Sequence, residues 1–289
     1  MARVAVVTDS AACIPTEFVQ GYDIHIVPFE LVWNGQSYRD GLDITPTEVY
    51  RRLRELREEN SWPTTSQPAL GAFATLYAEL SRHAAGIVSI HVPAELSGTL
   101  HTAELAAAQA ATVPVRVIDA RTAAIAQGFV VMAAAQAAAA GKNLDEVVAA
   151  AEATIPRVGL YATLESLEYL RRGGRIGEAA AVLGMRLRIY PVLYLAEGRV
   201  KVAGVARNRR HALERILDLM EERTGKRAKW AAVSHADAAD DAMWLKQHVR
   251  ERFAYQEFFV TEFTPVMGVH TGPGTIVLAF CAEDESARS

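Results

Sequence analysis

Short β-branched runs alternate with helical segments of ten or more residues through the first half of the chain. Val4–Val7, Ile87–Val92 and Val115–Ile118 are predicted strands, and the alanine-rich segments Gly98–Ala110 and Thr122–Ala140 are predicted helices. Strands that are joined through helices of this length run in the same direction, because a tight turn connects only antiparallel neighbours. The first half is therefore predicted to form a parallel α/β sheet.

A different pattern begins near Ile155-Pro156. The predicted strands Ile189–Leu195 and Arg199–Val205 are separated only by a short turn around Glu197-Gly198, which indicates an antiparallel hairpin. A chain of 289 residues is long enough for two hydrophobic cores. We therefore predict a parallel-sheet α/β domain at residues 1–155 and an α+β domain with a partly antiparallel sheet at residues 156–289.

Local signals predict further elements in the first domain. Asn34-Gly35 is typical of a hairpin turn. Thr45-Pro46 is typical of a helix start, and the charged, amphipathic body of this helix is predicted to extend from Glu48 to Glu59. Residues 61–68 are predicted to be a loop, and Leu70 to Leu80 is predicted to be a helix.

Charge and apolar patterning exclude several classes of protein. A net charge of −4 argues against non-specific nucleic-acid binding as the main function. The longest apolar stretch, Phe129–Ala140, is shorter than the roughly 20 residues that a membrane-spanning helix needs. The N-terminus has no signal-peptide pattern, and Cys13 and Cys281 are isolated, so we expect a cytoplasmic protein with two reduced thiols.

The common catalytic motifs are missing from the sequence. It has no GxSxG nucleophile elbow, no phosphate-binding P-loop, no GxGxxG and no HExxH or CxxC pattern. Its eight histidines show no ligand spacing. We therefore expect no metal, no cofactor and no catalytic residue.

Small polar clusters occupy positions where predicted strands end or helices begin. These clusters are Thr8-Asp9-Ser10, residues 65–68 (TSQP), residues 96–99 (LSGT) and residues 268–274 (GVHTGPG). Ligands of parallel sheets bind beyond the carboxyl ends of the strands, where helix N-termini present free N–H groups. A serine beside a glycine at such a place suits a carboxylate or a phosphate. In the alternative interpretation, Ser97 and Thr65 only cap their helices.

Positive charge is concentrated between residues 157 and 215, which hold 12 Lys and Arg against 5 Asp and Glu. The segment LRRGGRI (170–176) places Arg172 and Arg175 around paired glycines, and Arg207 follows a predicted strand. An exposed cationic loop of this kind suits a phosphate or an acidic protein partner. The alternative is a set of solvated arginines with ordinary carboxylate partners.

Seven segments in this order resemble those of the DegV family of bacterial fatty-acid-binding proteins, and the resemblance covers essentially the whole chain. The segments are TDSAACIP (8–15), NG with YRD (34–40), TSQP (65–68), LSGT with Ala103 (96–103), VIDA (117–120), YLRRGGRI (169–176) and HTGPG (270–274).

The resemblance implies that a long-chain fatty acid is the bound ligand and lies between the two domains. It implies that Thr65 and Ser97 hold the carboxylate and that His270 belongs to the same hydrogen-bond network. The neighbouring Ser66, Gly98 and Thr99 are included in this candidate site. One departure affects it, because Pro93-Ala94 stands where the family commonly has Ser-Ser.

The resemblance also implies partners. Some family members present the bound acid to a fatty acid kinase, which phosphorylates the carboxylate to an acyl phosphate. Arg175 and Arg207 match positions that resemble kinase-docking residues, and Arg172 of the same cationic loop is included with them. Transient contact with an acyltransferase or a membrane surface is expected as well, and contact with nucleic acid is not.

Two other functions remain open at this point. One is a phospho- or acyltransferase in which His270 acts as a general base near Ser97, with Asp9 or Asp119 as the orienting acid. The other is an interaction module without a ligand, in which the polar clusters are incidental.

Overall fold

The computed structural model describes residues 3–56, 61–182 and 189–283. The strands, in chain order, are β1 (Val4–Asp9), β2 (Ile24–Val27), β3 (Glu30–Trp33), β4 (Gln36–Arg39), β5 (Thr64–Ser66), β6 (Gly86–His91), β7 (Val115–Asp119), β8 (Val158–Thr163), β9 (Tyr190–Ala196), β10 (Arg199–Ala206), β11 (Arg227–His235), β12 (Ala254–Glu262) and β13 (Ile276–Ala282). The α-helices are α1 (Thr16–Tyr22), α2 (Pro46–Glu55), α3 (Leu70–Leu80), α4 (Thr99–Ala110), α5 (Ala124–Ala139), α6 (Leu144–Thr154), α7 (Glu168–Arg172), α8 (Arg209–Thr224), α9 (Ala239–Arg252) and α10 (Pro265–Thr271).

The first half of the chain forms the predicted parallel sheet, in the order β2-β1-β6-β7. Its central strands β1 and β6 are almost entirely buried. Burial on both faces is typical of parallel sheets that are covered by crossover helices, and it explains the continuous apolar runs of these strands.

The second half forms a mixed sheet in the order β10-β9-β8-β13-β11-β12, in which only β11 and β12 are parallel. Glu197 and Gly198 have φ values of 52° and 74° and form the predicted turn between β9 and β10. The fold class is therefore confirmed. The two sheets lie on opposite sides of the boundary predicted between residues 155 and 156, and the division into two domains stays a prediction.

A third, small sheet has the order β4-β3-β5. Its hairpin turn at Asn34-Gly35 is confirmed, since both residues have positive φ. The loop predicted over residues 61–68 is wrong in part, because Thr64–Ser66 forms the short strand β5. Thr65 of β5 lies opposite Leu31 of β3. The two threonines favour extended backbone, but three residues are too few to show a strand pattern, so this strand depends on its partner.

Helix α5 is buried along almost its whole length and packs against strands of both large sheets. Half of its 16 residues are alanine, so the sheets can approach it closely. Phe129 is an exception, and its ring stacks on that of Trp230 in β11 at a centroid distance of 5.7 Å. Gly128 lies against the backbone carbonyl of Ala12, which follows β1. The alanine run is therefore a packing feature of the core.

Two helices were not predicted from the sequence. Helix α6 begins with a capping box between Asn143 and Glu146, a local signal that was present in the chain. Helix α10 begins at Pro265 and includes His270, so the HTGPG cluster ends this helix and precedes the last strand, β13. Helix α2 begins at Pro46 and is capped by Thr45 as predicted. It ends at Glu55, earlier than predicted, since Leu56 has an extended backbone, and residues 57–59 of the prediction lie outside the described residues.

Asp40 fixes the start of α10 against the parallel sheet. Its Oδ1 accepts a hydrogen bond from the Val266 amide at 2.9 Å, and its Oδ2 accepts one from the Ser10 hydroxyl at 2.6 Å. Ser10 also accepts a hydrogen bond from the Phe29 amide. One buried carboxyl group thus connects the end of β1 to a helix more than 200 residues away in sequence.

Replacing Asp40 with asparagine should remove a pH-dependent part of the stability. Burial raises the pKa of Asp40 from 3.8 to about 6. The raised pKa means that Asp40 contributes stability below pH 4 that is lost as the pH rises through 6. The free energy of unfolding of Asp40→Asn, measured with denaturant, should therefore rise relative to that of the wild type by on the order of 3 kcal/mol between pH 4 and pH 8. If the difference in unfolding free energy between the variant and the wild type stays constant across this pH range, water reaches the carboxyl group.

Gly128→Ala should destabilise the protein although alanine is the better helix former. The added Cβ would lie 2.8 Å from the Ala12 carbonyl oxygen, and overpacking of this kind costs about 1–3 kcal/mol. The matched control is Gly71→Ala in α3, where no atom lies within 4 Å of the added Cβ. The control should gain about 0.5–1 kcal/mol. If denaturant unfolding showed the same increase in unfolding free energy for both variants, the close packing of α5 would be contradicted.

Candidate functional site

A cavity of about 450 Å³ lies between the carboxyl ends of the parallel strands and the inner face of the mixed sheet. Ala11, Val92 and Ala123 line it from the segments that follow β1, β6 and β7. Leu160 and Leu193 line it from the mixed sheet. The position agrees with the general rule that ligands bind beyond the carboxyl ends of parallel strands.

The polar side chains of the cavity come from segments that are distant in sequence. They are Thr65, Ser66, Gln67, Ser97, Tyr194, Thr271, Thr275, Arg175 and His270. Thr65, Ser66, Ser97, Gly98 and His270 were proposed as ligand-binding residues from the sequence, and all five line the same cavity.

Gln67 joins the TSQP segment to the LSGT segment. Its side-chain amide donates a hydrogen bond to the Thr102 hydroxyl at 2.5 Å. The same carboxamide lies directly on Gly98, where a Cβ atom would collide with it. Gly98 is therefore required for contact between the two segments. Gln67 was not singled out from the sequence, although it stands inside a segment that was.

Ser97 lines the cavity and lies one residue before Gly98, the N-cap residue of helix α4. Its oxygen accepts a hydrogen bond from the Thr99 amide at 3.3 Å and lies 2.8 Å from the Thr99 hydroxyl. Thr99 is fully buried and does not line the cavity. When the Thr99 hydroxyl donates to Ser97, the Ser97 proton is left for a ligand.

Thr65 and His270 form a direct pair. The Thr65 hydroxyl oxygen lies 2.6 Å from Nε2 of His270, across 205 positions of the sequence. Nδ1 of His270 is buried without a hydrogen-bond partner among the described residues. A proton on Nδ1 would be a buried donor without an acceptor, which favours the tautomer protonated on Nε2. His270 then donates to Thr65, and the Thr65 proton is available to an anionic ligand.

Burial holds His270 in its neutral form. Burial, and to a smaller extent the positive charge of Arg175, lower the pKa of the imidazole from 6.5 to about 4. Gly173 packs against the imidazole so closely that a Cβ atom would collide with Nδ1, and Gly272 packs in the same way against the ring of Tyr169. These two glycines allow α7 and α10 to meet at the cavity.

Arg175 is exposed and lies at the polar end of the cavity. Its Nε donates to the Leu96 carbonyl oxygen at 3.0 Å, which connects the cationic loop to the LSGT segment. Its side chain also lines the cavity. The residue proposed for partner docking is thus beside the residues proposed for ligand binding.

The two other arginines proposed for docking are placed differently. Arg172 forms an ion pair with Glu168 at 2.6 Å and lies over the Trp62 ring at 4.5 Å. Arg207 is exposed between β10 and α8 and does not line the cavity. Several cations of residues 157–215 have acidic partners, such as Arg209 with Asp241, so the interpretation as ordinary ion pairs applies to much of this charge.

The two acids named as candidates to orient His270 are engaged elsewhere. Asp9 is fully buried and lies 2.9 Å from Nδ1 of His91. His91 Nε2 lies 2.7 Å from the Ser89 hydroxyl, in a network closed to solvent. Asp119 accepts hydrogen bonds from the Arg121 and Ala94 amides. The structure therefore brings neither acid to His270.

The departure at Pro93-Ala94 lies outside the cavity wall, because neither residue lines it. The Pro93 carbonyl accepts hydrogen bonds from the Leu96 and Ser97 amides at 2.9 and 3.1 Å. These residues therefore shape the turn that presents Ser97. In this chain the hydroxyl donors at the polar end of the cavity come from the TSQP and LSGT segments.

Within residues 3–56, 61–182 and 189–283, no group of three or more His, Cys, Asp or Glu side chains is arranged to hold a metal ion. No helix of that part of the chain is long and apolar enough to cross a membrane. Cys13 and Cys281 are both buried and free, as predicted.

Comparison with known proteins agrees with this architecture. A family model described as "Uncharacterised protein, DegV family" matches residues 3–283. A DegV domain-containing protein of Streptomyces coelicolor is 38% identical over 276 residues, covering 95% of this chain and 96% of the relative.

Solved structures of two relatives superpose on nearly the whole chain. A DegV family protein from Thermus thermophilus, described by its fatty acid binding, has a TM-score of 0.91 at 35% identity and covers 97% of this chain and 100% of its own. DegV from Bacillus subtilis, described as a fatty acid binding protein, has a TM-score of 0.88 at 29% identity and covers 98% and 100%. With a family match over almost its full length and relatives of this similarity, the chain belongs to the DegV family.

Proposed function

We propose that this protein binds a long-chain fatty acid, with the acyl chain in the cavity between the two sheets and the carboxylate near Thr65, Ser97 and His270. The observation that carries the proposal is a cavity with aliphatic walls and hydroxyl, imidazole and guanidinium groups at one end. A volume of about 450 Å³ lies in the range of small-molecule sites. The relatives described as fatty-acid-binding proteins support the same ligand class.

Burial of the acyl chain supplies the affinity. About 14 methylene groups at ~0.8 kcal/mol each offer about 11 kcal/mol before the costs of ordering the chain. Leu160, Leu193, Leu195 and Val277 provide apolar surface from the mixed sheet, opposite Val92 of the parallel-sheet half. An acyl chain held between two such walls loses most of its contact with water.

The carboxylate needs hydrogen-bond donors, because burying an unpaired charge is costly. The Thr65 proton, oriented by neutral His270, and the Ser97 proton can both be donated to its oxygens. Ser66 and Gly98 contribute to the same wall, and Thr99 orients Ser97. Arg175 adds positive charge at the solvent side, which stabilises the ionised acid.

We further propose that the protein is a carrier that presents this carboxylate to a fatty acid kinase in the cytoplasm. The kinase would phosphorylate the acid to an acyl phosphate, and an acyltransferase or a membrane surface would receive the product transiently. Exposed Arg175 beside the polar end of the cavity supports docking there. Arg207 and Arg172 extend the candidate docking surface, and no cofactor is required of this chain.

The geometry supports a carrier better than a transferase that uses His270 as a general base. Nε2 of His270 contacts Thr65 and not Ser97. An imidazole with a pKa of about 4 is a weak base at neutral pH. Asp9 and Asp119 do not reach it. An interaction module without a ligand would leave the cavity and its oriented donors unexplained.

Fatty acid should accompany the purified protein, and its retention should depend on the two hydroxyls. Denaturing extraction followed by mass spectrometry should find close to one equivalent of fatty acid in the wild type. Hydrogen bonds to a charged group contribute about 1.5–3 kcal/mol each, so Thr65→Ala combined with Ser97→Ala should weaken binding by at least about a hundredfold. Titration of delipidated protein with palmitate measures this change.

The matched control is Thr64→Ala combined with Ser37→Ala, since both residues are exposed in the small sheet and do not line the cavity. This variant should bind as the wild type does. A lipid-free extract from cells that contain fatty acids would count against the proposed function. Unchanged affinity in the Thr65/Ser97 variant would place the carboxylate elsewhere.

Arg175→Ala should slow phosphorylation of the bound acid while sparing its retention. An exposed guanidinium is screened by water and salt, so its loss should change fatty acid affinity only about twofold. Loss of a docking contact should lower the kinase-dependent rate of acyl phosphate formation by about tenfold or more. Arg250→Ala, an exposed change on α9, is the control and should alter neither quantity. Equal losses of binding and phosphorylation would mean that Arg175 holds the ligand or the fold.

A further inference from the structure

Strands β8 and β9 separate over half of their length. They pair only from Tyr161 to Thr163 of β8, opposite Val192 to Tyr194 of β9. Beyond this point Val158–Leu160 pairs with β13, and Leu195–Ala196 pairs with β10, and these two described segments do not pair with each other. The mixed sheet therefore contains a wedge-shaped opening between two of its inner strands.

A second cavity, of about 940 Å³, occupies this opening. It is lined by both separated strand segments and, on the other side, by residues 117–122 at the end of β7. Leu160, Tyr194 and Leu195 line this cavity and also the proposed fatty acid cavity. The two spaces thus share a wall made of three side chains.

The lining of the second cavity is partly apolar and partly charged. Val158 and Phe280 continue the apolar surface away from Leu160. Five charged residues also line the cavity: Asp119, Arg121, Glu152, Glu197 and Arg223. A hydrocarbon chain that enters past Leu160 and Leu195 can therefore contact the apolar side chains of Val158 and Phe280.

We propose that the second cavity receives the methyl end of very long acyl chains, which pass between β8 and β9 at Leu160 and Leu195. This inference rests on the proposed function. Paired strands lie only about 4.8 Å apart and are joined by hydrogen bonds, so a chain cannot cross an intact sheet. Residues 158–160 of β8 and 195–196 of β9 form no backbone hydrogen bonds with each other, so none has to break. Passage needs only rotation of the Leu160, Leu195 and Tyr194 side chains.

The proposal has a consequence for chain-length preference. A closed cavity floor rejects an acid that is longer than the cavity, because the extra methylenes have no room. An open floor lets them continue into the second cavity, where partial burial gives a small gain. Acids of about 22 to 24 carbons should therefore bind within about threefold of the dissociation constant for 18 carbons, a difference below about 1 kcal/mol.

Ala196→Phe is the variant that closes the passage. Ala196 lines the second cavity and not the first, so its replacement fills the opening without touching the proposed head-group end. Its dissociation constant for the 22- and 24-carbon acids should rise by at least about tenfold, while that for palmitate stays within about twofold. Ala254→Phe, an exposed position in β12, is the matched control and should change neither value.

The chain-length series of the wild type tests the inference even if Ala196→Phe fails to fold. Binding of palmitate together with rejection of the 22- and 24-carbon acids would overturn the inference and leave the proposed function standing. The inference would also be overturned if Ala196→Phe changed the dissociation constants for short and long acids by the same factor. Failure to bind palmitate at all would overturn the proposed function itself. A crystal structure of the protein bound to a 24-carbon acid that carries bromine on its terminal carbon should show the bromine beside Ala196.

Discussion

The burial of an alanine-rich helix between two sheets determines how closely the halves of this molecule approach. Helix α5 contacts β1 and β6 of the parallel sheet and β8, β11 and β13 of the mixed sheet. Small side chains allow this spacing, and Gly128 allows the closest approach, against the carbonyl of Ala12. Ala123 and Ala124, where the helix begins, line the proposed fatty acid cavity. The same small residues that bring the sheets together leave space unfilled at the helix N-terminus.

The polar end of the cavity depends on contacts between segments that are far apart in sequence. Gln67 joins TSQP to LSGT, Arg175 joins the cationic loop to Leu96, and His270 joins α10 to β5. Asp40 stabilises this arrangement because its carboxyl group accepts a hydrogen bond from the Val266 amide in the first turn of α10. A hydroxyl of β5 and an imidazole of α10 can share one hydrogen bond only because α10 is fixed in this way.

Electrostatics divides the cationic region into two groups. Arg172 and Arg209 have carboxylate partners within the chain, and their charges are largely neutralised. Arg175 instead donates to backbone carbonyls, so its charge remains available at the cavity. That charge favours an anion at the polar end and opposes protonation of His270. A proton on Nε2 of His270 is what makes Thr65 the acceptor of their hydrogen bond and leaves the Thr65 proton for the ligand.

Much of the fold was predictable because its signals are local. Apolar runs identified the buried strands, and Asn34-Gly35 and Glu197-Gly198 identified two hairpins. Strand β5 was missed because three residues are too few to show a strand pattern and are held extended by pairing with β3. Helix α6 was missed although its capping box was visible, and α10 was missed because its seven residues are too few for a clear period.

The candidate site also has a part that could be predicted from the sequence and a part that could not. The sequence by itself determined the two sheet types and the segments that carry hydroxyls, glycines and arginines, because strand alternation, turn formation and helix capping depend on near neighbours. Only the tertiary structure decided that Thr65 meets His270, that Arg175 lies at the cavity and that β8 separates from β9. Those contacts depend on how whole helices and sheets pack, and packing is set by the summed shapes of many distant side chains.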